Sequence, residues 1–225
     1  MTLPIVNESD HAAAGNSASA APLADMAPDA LARWLVERGQ PAYRARQIER
    51  WLFQGRATSF DDMTDLPRTL RTELAAAFRL FATTIVRHHR ADDDTEKLLL
   101  ALPDGNTVEC VLIRENRRRT MCISTQVGCA MGCAFCASGI GGVVRSLTTC
   151  EIIEQMLRLV QLTSEDERIS HIVVMGMGEP LANLDALLPA LEAARRETGL
   201  GISARRITVS TVGLPPAIRR LAAAG

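Results

Sequence analysis

The chain has 225 residues, 47% of them hydrophobic and 23% charged, with a formal net charge of −1. That is the composition of an ordinary globular protein and excludes a disordered tail or a collagen. No apolar run approaches the ~20 residues that span a bilayer, and Met1–Asp10, which carries Glu8 and Asp10 and no basic residue, leads into no apolar segment of a secretory signal.

Residues 1–26 are rich in Ala, Ser, Asn and Pro without periodicity and read as a disordered leader. From Pro28 the pattern turns helical. Leu31, Trp34 and Leu35 recur at helical spacing, as do Tyr43, Ile48, Trp51 and Leu52, and Leu66–Phe81 reads as a third helix with Pro67 in its first turn. Residues 27–81 are thus expected as a small helical domain. Residues 82–116 carry three β-like runs, 83–86, 97–101 and 107–113, with a hairpin signal at Pro103-Asp-Gly-Asn106. A short antiparallel sheet is the expectation. From residue 117 onward strands and helices alternate. Strands are predicted at 120–124, 169–175 and 206–210, and helices at 148–163, 184–198 and from 215 on. That rhythm implies parallel βαβ units and an α/β fold. Three units leave a barrel half closed with open sheet edges, so the expectation is a partial (βα) barrel belonging to a longer protein.

Six cysteines stand at 110, 122, 129, 133, 136 and 150, and are expected as reduced thiols. Three form Gly128-Cys129-Ala-Met-Gly-Cys133-Ala-Phe-Cys136, a C-x3-C-x2-C spacing in a glycine-rich loop directly after a strand. Three thiolates hold three irons of a [4Fe–4S] cube, and the missing fourth leaves one iron open to a ligand such as the amino and carboxylate groups of S-adenosylmethionine. Zinc, with Cys122 or His171 as fourth ligand, is the competing reading, and structural cysteines are the third. A second motif favours the cluster. The next predicted strand runs into Gly176-Met-Gly178-Glu179-Pro180, at the carboxyl end where parallel sheets bind ligands. Glycine backbone there admits a close ligand, and the Glu179 carboxylate suits an ammonium group. Ser210, where the third strand ends, faces the same rim and is either a ligand contact or a plain strand-end turn.

The run Cys122-Ile-Ser-Thr-Gln-Val-Gly-Cys129 with the cysteine loop, Gly139-Ile-Gly-Gly142, Val173 to Asn183, and Arg206-Ile-Thr-Val-Ser-Thr-Val-Gly213 resembles the radical-SAM RNA adenine-C2 methyltransferases of the RlmN/Cfr type. Tyr43-Arg-Ala-Arg-Gln-Ile48 and Phe60 to Pro67 resemble that family's N-terminal RNA-binding domain. The resemblance covers about residues 27–225. It implies methylation of C2 of an adenosine in 23S ribosomal RNA and in some transfer RNAs. C2 has no acidic proton, so the family transfers the methyl as a carbon radical from a methylated cysteine, and a second cysteine releases the product through a disulfide. By position, Cys129, Cys133 and Cys136 match the cluster ligands, Gly178, Glu179 and Ser210 the S-adenosylmethionine contacts, Cys122 the resolving cysteine and Glu109 the proton acceptor. Without the resemblance, Glu109 reads as an exposed strand carboxylate. Cys110 and Cys150 match nothing functional.

The family's methyl-carrying cysteine lies far toward the C terminus, beyond Gly225, so these 225 residues alone are expected not to complete methyl transfer. The resemblance further implies a cytoplasmic monomer with no membrane association, served by a reductase that supplies electrons. Arginine provides nearly all the positive charge, Lys97 being the only lysine. GC-rich codon usage explains such an excess. Arg33, Arg38, Arg44, Arg46, Arg50 and Arg56 in the helical domain and Arg117–Arg119 are nevertheless candidate phosphate contacts. A zinc- or cluster-stabilised RNA-binding module without catalysis is the alternative function.

Overall fold

The computed structural model describes residues 20–224. Of the expected leader, residues 1–19 lie outside the described residues. Residues 20–26 are placed differently from that expectation. Ala21–Pro22 (β1) pairs in parallel with Phe78–Arg79, and Leu23, in the turn that follows, is buried in the core.

Three helices follow: α1 (Pro28–Val36), α2 (Arg44–Phe53) and α3 (Arg68–Ala77). Each buries one stripe: Leu31 and Leu35, then Ile48 and Leu52, then Leu70 and Leu74. Pro67 is the N-cap of α3, with extended backbone, and not part of its first turn. α3 stops four residues short of the predicted end because Phe78–Arg79 (β2) goes extended to pair with β1. Trp51 Nε1 and Gln47 Nε2 both donate to the Asp65 carboxylate, and Arg44 donates to its carbonyl. These bonds tie α2 to the loop before α3.

The strands β3 (Thr84–Arg90), β4 (Glu96–Ala101), β5 (Thr107–Glu115), β6 (Arg118–Cys122), β9 (His171–Val174) and β10 (Ile207–Val209) form one sheet, ordered β10-β9-β6-β5-β4-β3. A small hairpin of β7 (Gln126–Gly128) and β8 (Val143–Ser146) lies between β6 and β9 in sequence. β3 through β6 run antiparallel, while β6, β9 and β10 are parallel. The two sheets expected from sequence are therefore halves of a single mixed sheet, joined at β5–β6, and the fold is an α/β partial barrel. α4 (Thr149–Val160) and α5 (Leu184–Arg195) supply the crossovers, and α6 (Pro215–Ala223) follows β10.

The sheet's two faces differ. Leu98, Leu100, Val108, Cys110, Leu112, Met121, Ile172 and Val174 are buried with Ile152, Met156 and Leu159 of α4 and with the leucines of α1–α3 in one continuous core. The opposite, open face carries the alternating half-exposed positions. Thr148 starts α4 with a capping box: its hydroxyl accepts from the Glu151 N–H, and the Glu151 carboxylate accepts from the Thr148 N–H. Arg56, in left-handed backbone, donates to the carbonyls of Gln54, Thr163, Ser164 and Glu167. It thereby joins the helical region to the loop that follows α4.

Two polar residues of α4 are fully buried, Glu154, whose carboxylate accepts from the Ala82 and Thr83 N–H groups, and Gln155. Gln155 accepts from the Ser124 N–H at 2.8 Å and donates to the Ser124 carbonyl at 3.0 Å. Gln155→Leu leaves both backbone groups of Ser124 unpaired in a dry interior. The expected cost is about 3 kcal/mol of unfolding free energy in urea melts, against under about 1 kcal/mol for an exposed change such as Arg195→Leu.

Candidate cluster and cofactor site

The cysteine loop leaves the carboxyl end of β6 already stitched to the segment that follows β9. The Gly176 N–H donates to the Ile123 carbonyl (3.1 Å), and the Thr125 and Gln126 N–H groups donate to the Met177 carbonyl (2.8 and 3.2 Å). The loop's neck is closed by the β7–β8 hairpin and by the Cys129 N–H donating to the Gly142 carbonyl at 3.0 Å. Inside the neck the chain turns repeatedly, with Cys136 N–H to Cys133 O, Gly139 N–H to Cys136 O and Gly142 N–H to Gly139 O. This hairpin is absent from the sequence expectation because its strands are only three and four residues long and break register at Gly128.

Gly128 is required on two counts. Its φ is +74°, and a Cβ there would lie 2.0 Å from the Gly142 carbonyl oxygen, which is the oxygen closing the neck. Gly128→Ala is therefore expected to splay the loop and lower iron retention several-fold in reconstituted protein, while Gly141→Ala, where a Cβ meets open space, retains iron at the wild-type level.

Cys129, Cys133 and Cys136 are half-buried, unpaired thiols, and none of the six cysteines forms a disulfide. Hydrogen bonds from the Ser138 side chain and backbone hold the Cys136 thiol below its ordinary value, favouring the thiolate that ligates iron. Among the described residues no three His, Cys, Asp or Glu side chains converge closely enough to cage a metal ion. The three sulfurs share one short loop without closing on a common point.

The chemistry of the donor set, three thiolates and no neighbouring carboxylate, suits an iron–sulfur cluster or zinc. The geometry removes one zinc ligand. His171 opens β9, in register with Thr120, and its Nδ1 is 2.9 Å from the Ser170 hydroxyl. It lies at the amino end of the parallel strands, about 10 Å of extended chain below the cysteine rim.

Cys122 and Glu109 lie on the open face. Cys122 is paired with Val111, two residues from Glu109, so the two side chains are diagonal neighbours about 7–8 Å apart at the backbone. Burial pushes the Cys122 thiol up, partly offset by a hydrogen bond from the Met175 backbone. Glu109 pairs with Lys97 at 3.0 Å, both side chains being about half exposed. Cys110 and Cys150 are buried in the core, and burial raises both thiols.

The Gly176–Pro180 segment is more constrained than its sequence suggests. A Cβ on Gly176 would meet Ser124 Oγ at 2.5 Å, and one on Gly178, whose φ is +100°, would meet the Gln126 side chain at 2.6 Å. Both glycines are thus needed for loop-to-loop packing, whatever ligand lies beyond. Glu179 is 2% exposed. Its carboxylate accepts from the Leu181 N–H (2.9 Å), the Thr211 hydroxyl (2.5 Å) and the Val212 N–H (3.0 Å). It clamps the loop after β10 onto the loop after β9, leaving about one acceptor position for a further donor. Ser210 is exposed at the same rim, its N–H donating to the Val174 carbonyl at 3.3 Å.

Four supporting residues escaped the sequence reading: Ser124, Gln126, Gln155 and Asn183. Ser124 Oγ donates to the Glu109 carbonyl (2.6 Å) and accepts from the Met177 N–H (2.8 Å). Gln126 accepts from the Glu179 N–H, and Asn183 donates to the carbonyls of Thr125 and Leu147. The available signal was polar side chains embedded in apolar runs, as at Gln155.

The comparisons with known proteins agree with this geometry. Residues 21–80 match the ribosomal RNA large subunit methyltransferase N-terminal domain, and residues 123–225 match the radical SAM superfamily. A probable dual-specificity RNA methyltransferase RlmN of Rhodopirellula baltica is 57% identical over all 225 residues, and the chain spans 60% of that relative's length. The dual-specificity RNA methyltransferase RlmN of Geobacter sulfurreducens is 48% identical over 193 residues, covering 86% of this chain and 52% of the relative. The crystal structure of a radical SAM methyltransferase from Sphaerobacter thermophilus superposes with a TM-score of 0.83 at 43% identity, over 90% of this chain and 60% of that one. With both domains matched in the same order and relatives alike in sequence and in fold, this chain belongs to the radical SAM RNA methyltransferases of the RlmN type.

Proposed function

We propose that this protein serves C2 methylation of adenosine in 23S ribosomal RNA and in transfer RNA. Cys129, Cys133 and Cys136 hold a [4Fe–4S] cluster, and Gly178, Glu179 and Ser210 line the place of S-adenosylmethionine. The observation that carries this reading is the stitching of three loops at one rim: the cysteine loop to the Gly176–Pro180 segment through Met177, and that segment to the β10 loop through Glu179. When bound, the cluster supplies the electron that opens the sulfonium of S-adenosylmethionine.

The chain's own residues do the rest by position. Gln126 and Thr211 fix Glu179, whose remaining acceptor position takes an ammonium group. Cys122 and Glu109 sit beside each other on the face that continues from this rim, where a thiol and a carboxylate can act on one adenine edge. Glu109, held 3.0 Å from the Lys97 ammonium on this face, is the carboxylate that accepts the C2 proton once the methyl carbon has been added. A reductase is the proposed electron source, the cytoplasm the proposed compartment and the monomer the proposed form. Among the described residues no helix is long and apolar enough to cross a membrane.

Anaerobic purification tests the reading. Brown protein with about four irons per chain, which binds S-adenosylmethionine and binds RNA, is the expected result. Colourless protein with stoichiometric zinc would replace it with the RNA-binding module.

A further inference from the structure

We propose that edge strand β3 carries an RNA phosphate backbone to the open face, with Arg87 as the principal contact and His89 beside it. This rests on the RNA reading above and names the surface that RNA would use.

Four of the nine arginines expected to bind RNA are occupied, and the other five, Arg33, Arg46, Arg50, Arg117 and Arg118, are exposed but lie in α1 and α2 or at the amino end of β6, away from the cysteine rim. Arg44 is bonded to Gln47 and Asp65, Arg56 to the Gln54 carbonyl and to three carbonyls of the loop after α4, Arg38 lies over the Trp34 ring, and Arg119 is paired with Glu167. β3 is different. Arg87, His88, His89 and Arg90 are all exposed along the sheet's edge. Arg90 is neutralised by Asp94 and His88 is paired with Glu96, whereas Arg87 and His89 make no ion pair or side-chain hydrogen bond among the described residues.

The strand's geometry aims these two at the site. Ile85 lies opposite Leu100, but Arg87 lies opposite Leu99, so Val86 is an extra residue in the ladder. In an unbroken register Val86 and His88 would share the face of Leu99 and Lys97. The bulge gives those places to Arg87 and His89 instead, which is the re-aiming of side chains that bulges perform. That face is the open one, since Leu98 and Leu100 are fully buried on the other side.

One register row then crosses the whole sheet: His89, Lys97, Val111, Cys122, Val173 and Thr208. The adjacent row holds Arg87, Leu99 and Glu109. At about 4.8 Å between strands, Lys97 is about 10 Å and His89 about 14 Å from Cys122. A base turned out of its stack over Cys122 and Glu109 has its flanking phosphates within that span. Lys97 already neutralises Glu109, so the one carboxylate on this path does not repel them. The acidic turn Asp92–Asp94 beyond Arg90 closes the path at that end and directs the backbone toward Arg87.

The test is anisotropy of a fluorescein-labelled RNA stem–loop, titrated with wild-type and variant chains over a series of KCl concentrations. Arg87→Ala with His89→Ala is expected to weaken binding about fivefold to tenfold at ~0.1 M salt and to lower the slope of log affinity against log salt by about one. Arg87→Lys keeps the slope. Arg219→Ala in α6, which is exposed and follows β10 at the opposite edge of the sheet from β3, leaves affinity unchanged. Photo-crosslinks from thiouridine-containing RNA are expected in β3. A wild-type chain that binds RNA while the double variant keeps the wild-type slope would overturn this assignment alone. A wild-type chain that binds no RNA at low salt would overturn the RNA reading and this assignment together.

Discussion

Replacing Cys129, Cys133 or Cys136 singly by Ala is expected to reduce bound iron from about four per chain to well under one and to abolish the absorbance near ~400 nm. A cube held by three protein sulfurs has no spare anchor, so the loss of one leaves two corners open rather than one. The three thiols are half-buried and make no packing in the core, so the apo variants are expected to melt with the apo wild type. Cys110→Ala and Cys150→Ala are the counterpart. Both thiols lie in the core, and both variants are expected to keep the iron while losing about 1 kcal/mol of stability through the small cavity left behind. Iron quantitation and urea melts on the five proteins separate cluster ligands from packing cysteines.

Glu179→Ala is expected to have the largest effect of any change at the rim. The carboxylate is almost wholly buried and accepts from Leu181, Thr211 and Val212. Its removal orphans two backbone N–H groups and one hydroxyl and frees the β10 loop from the β9 loop. Hydrogen bonds to charged acceptors contribute about 1.5–3 kcal/mol each, and water entering the gap recovers part of that, so a loss of about 3 kcal/mol is expected. Binding of S-adenosylmethionine should fall at least tenfold beyond any change in stability. Glu179→Gln keeps the length and one carbonyl acceptor but directs an NH2 group at a donor. It should restore part of the stability and little of the binding. Calorimetric titration on folded, reconstituted protein reads the second effect apart from the first.

The sequence made the βα rhythm legible because α4 and β9 carry unmixed patterns: a helical stripe in one case and a short apolar run in the other. It made the rim legible for the same reason, since both candidate loops directly follow such strands. What it concealed came from contacts remote in sequence. Phe78 and Arg79 look helical in isolation, and only their pairing with Ala21 and Pro22 draws them into a strand. The antiparallel and parallel halves read as separate units because nothing in residues 107–122 announces that β5 and β6 pair across the boundary. Gly176 and Gly178 announced a ligand, whereas the side chains of Ser124 and Gln126 already fill the space next to them. The bulge at Val86 left no local mark, yet it decides which of four basic side chains face the site.

The central claim is that three cysteine sulfurs hold an iron–sulfur cube whose fourth corner is free for S-adenosylmethionine. Mössbauer spectra of protein reconstituted with iron-57, recorded with and without S-adenosylmethionine, test it most directly. The account predicts a cubane in which one iron of about four shifts its parameters when the cofactor is added. Spectra that show no cubane, or a cubane whose irons all ignore the cofactor, would contradict it.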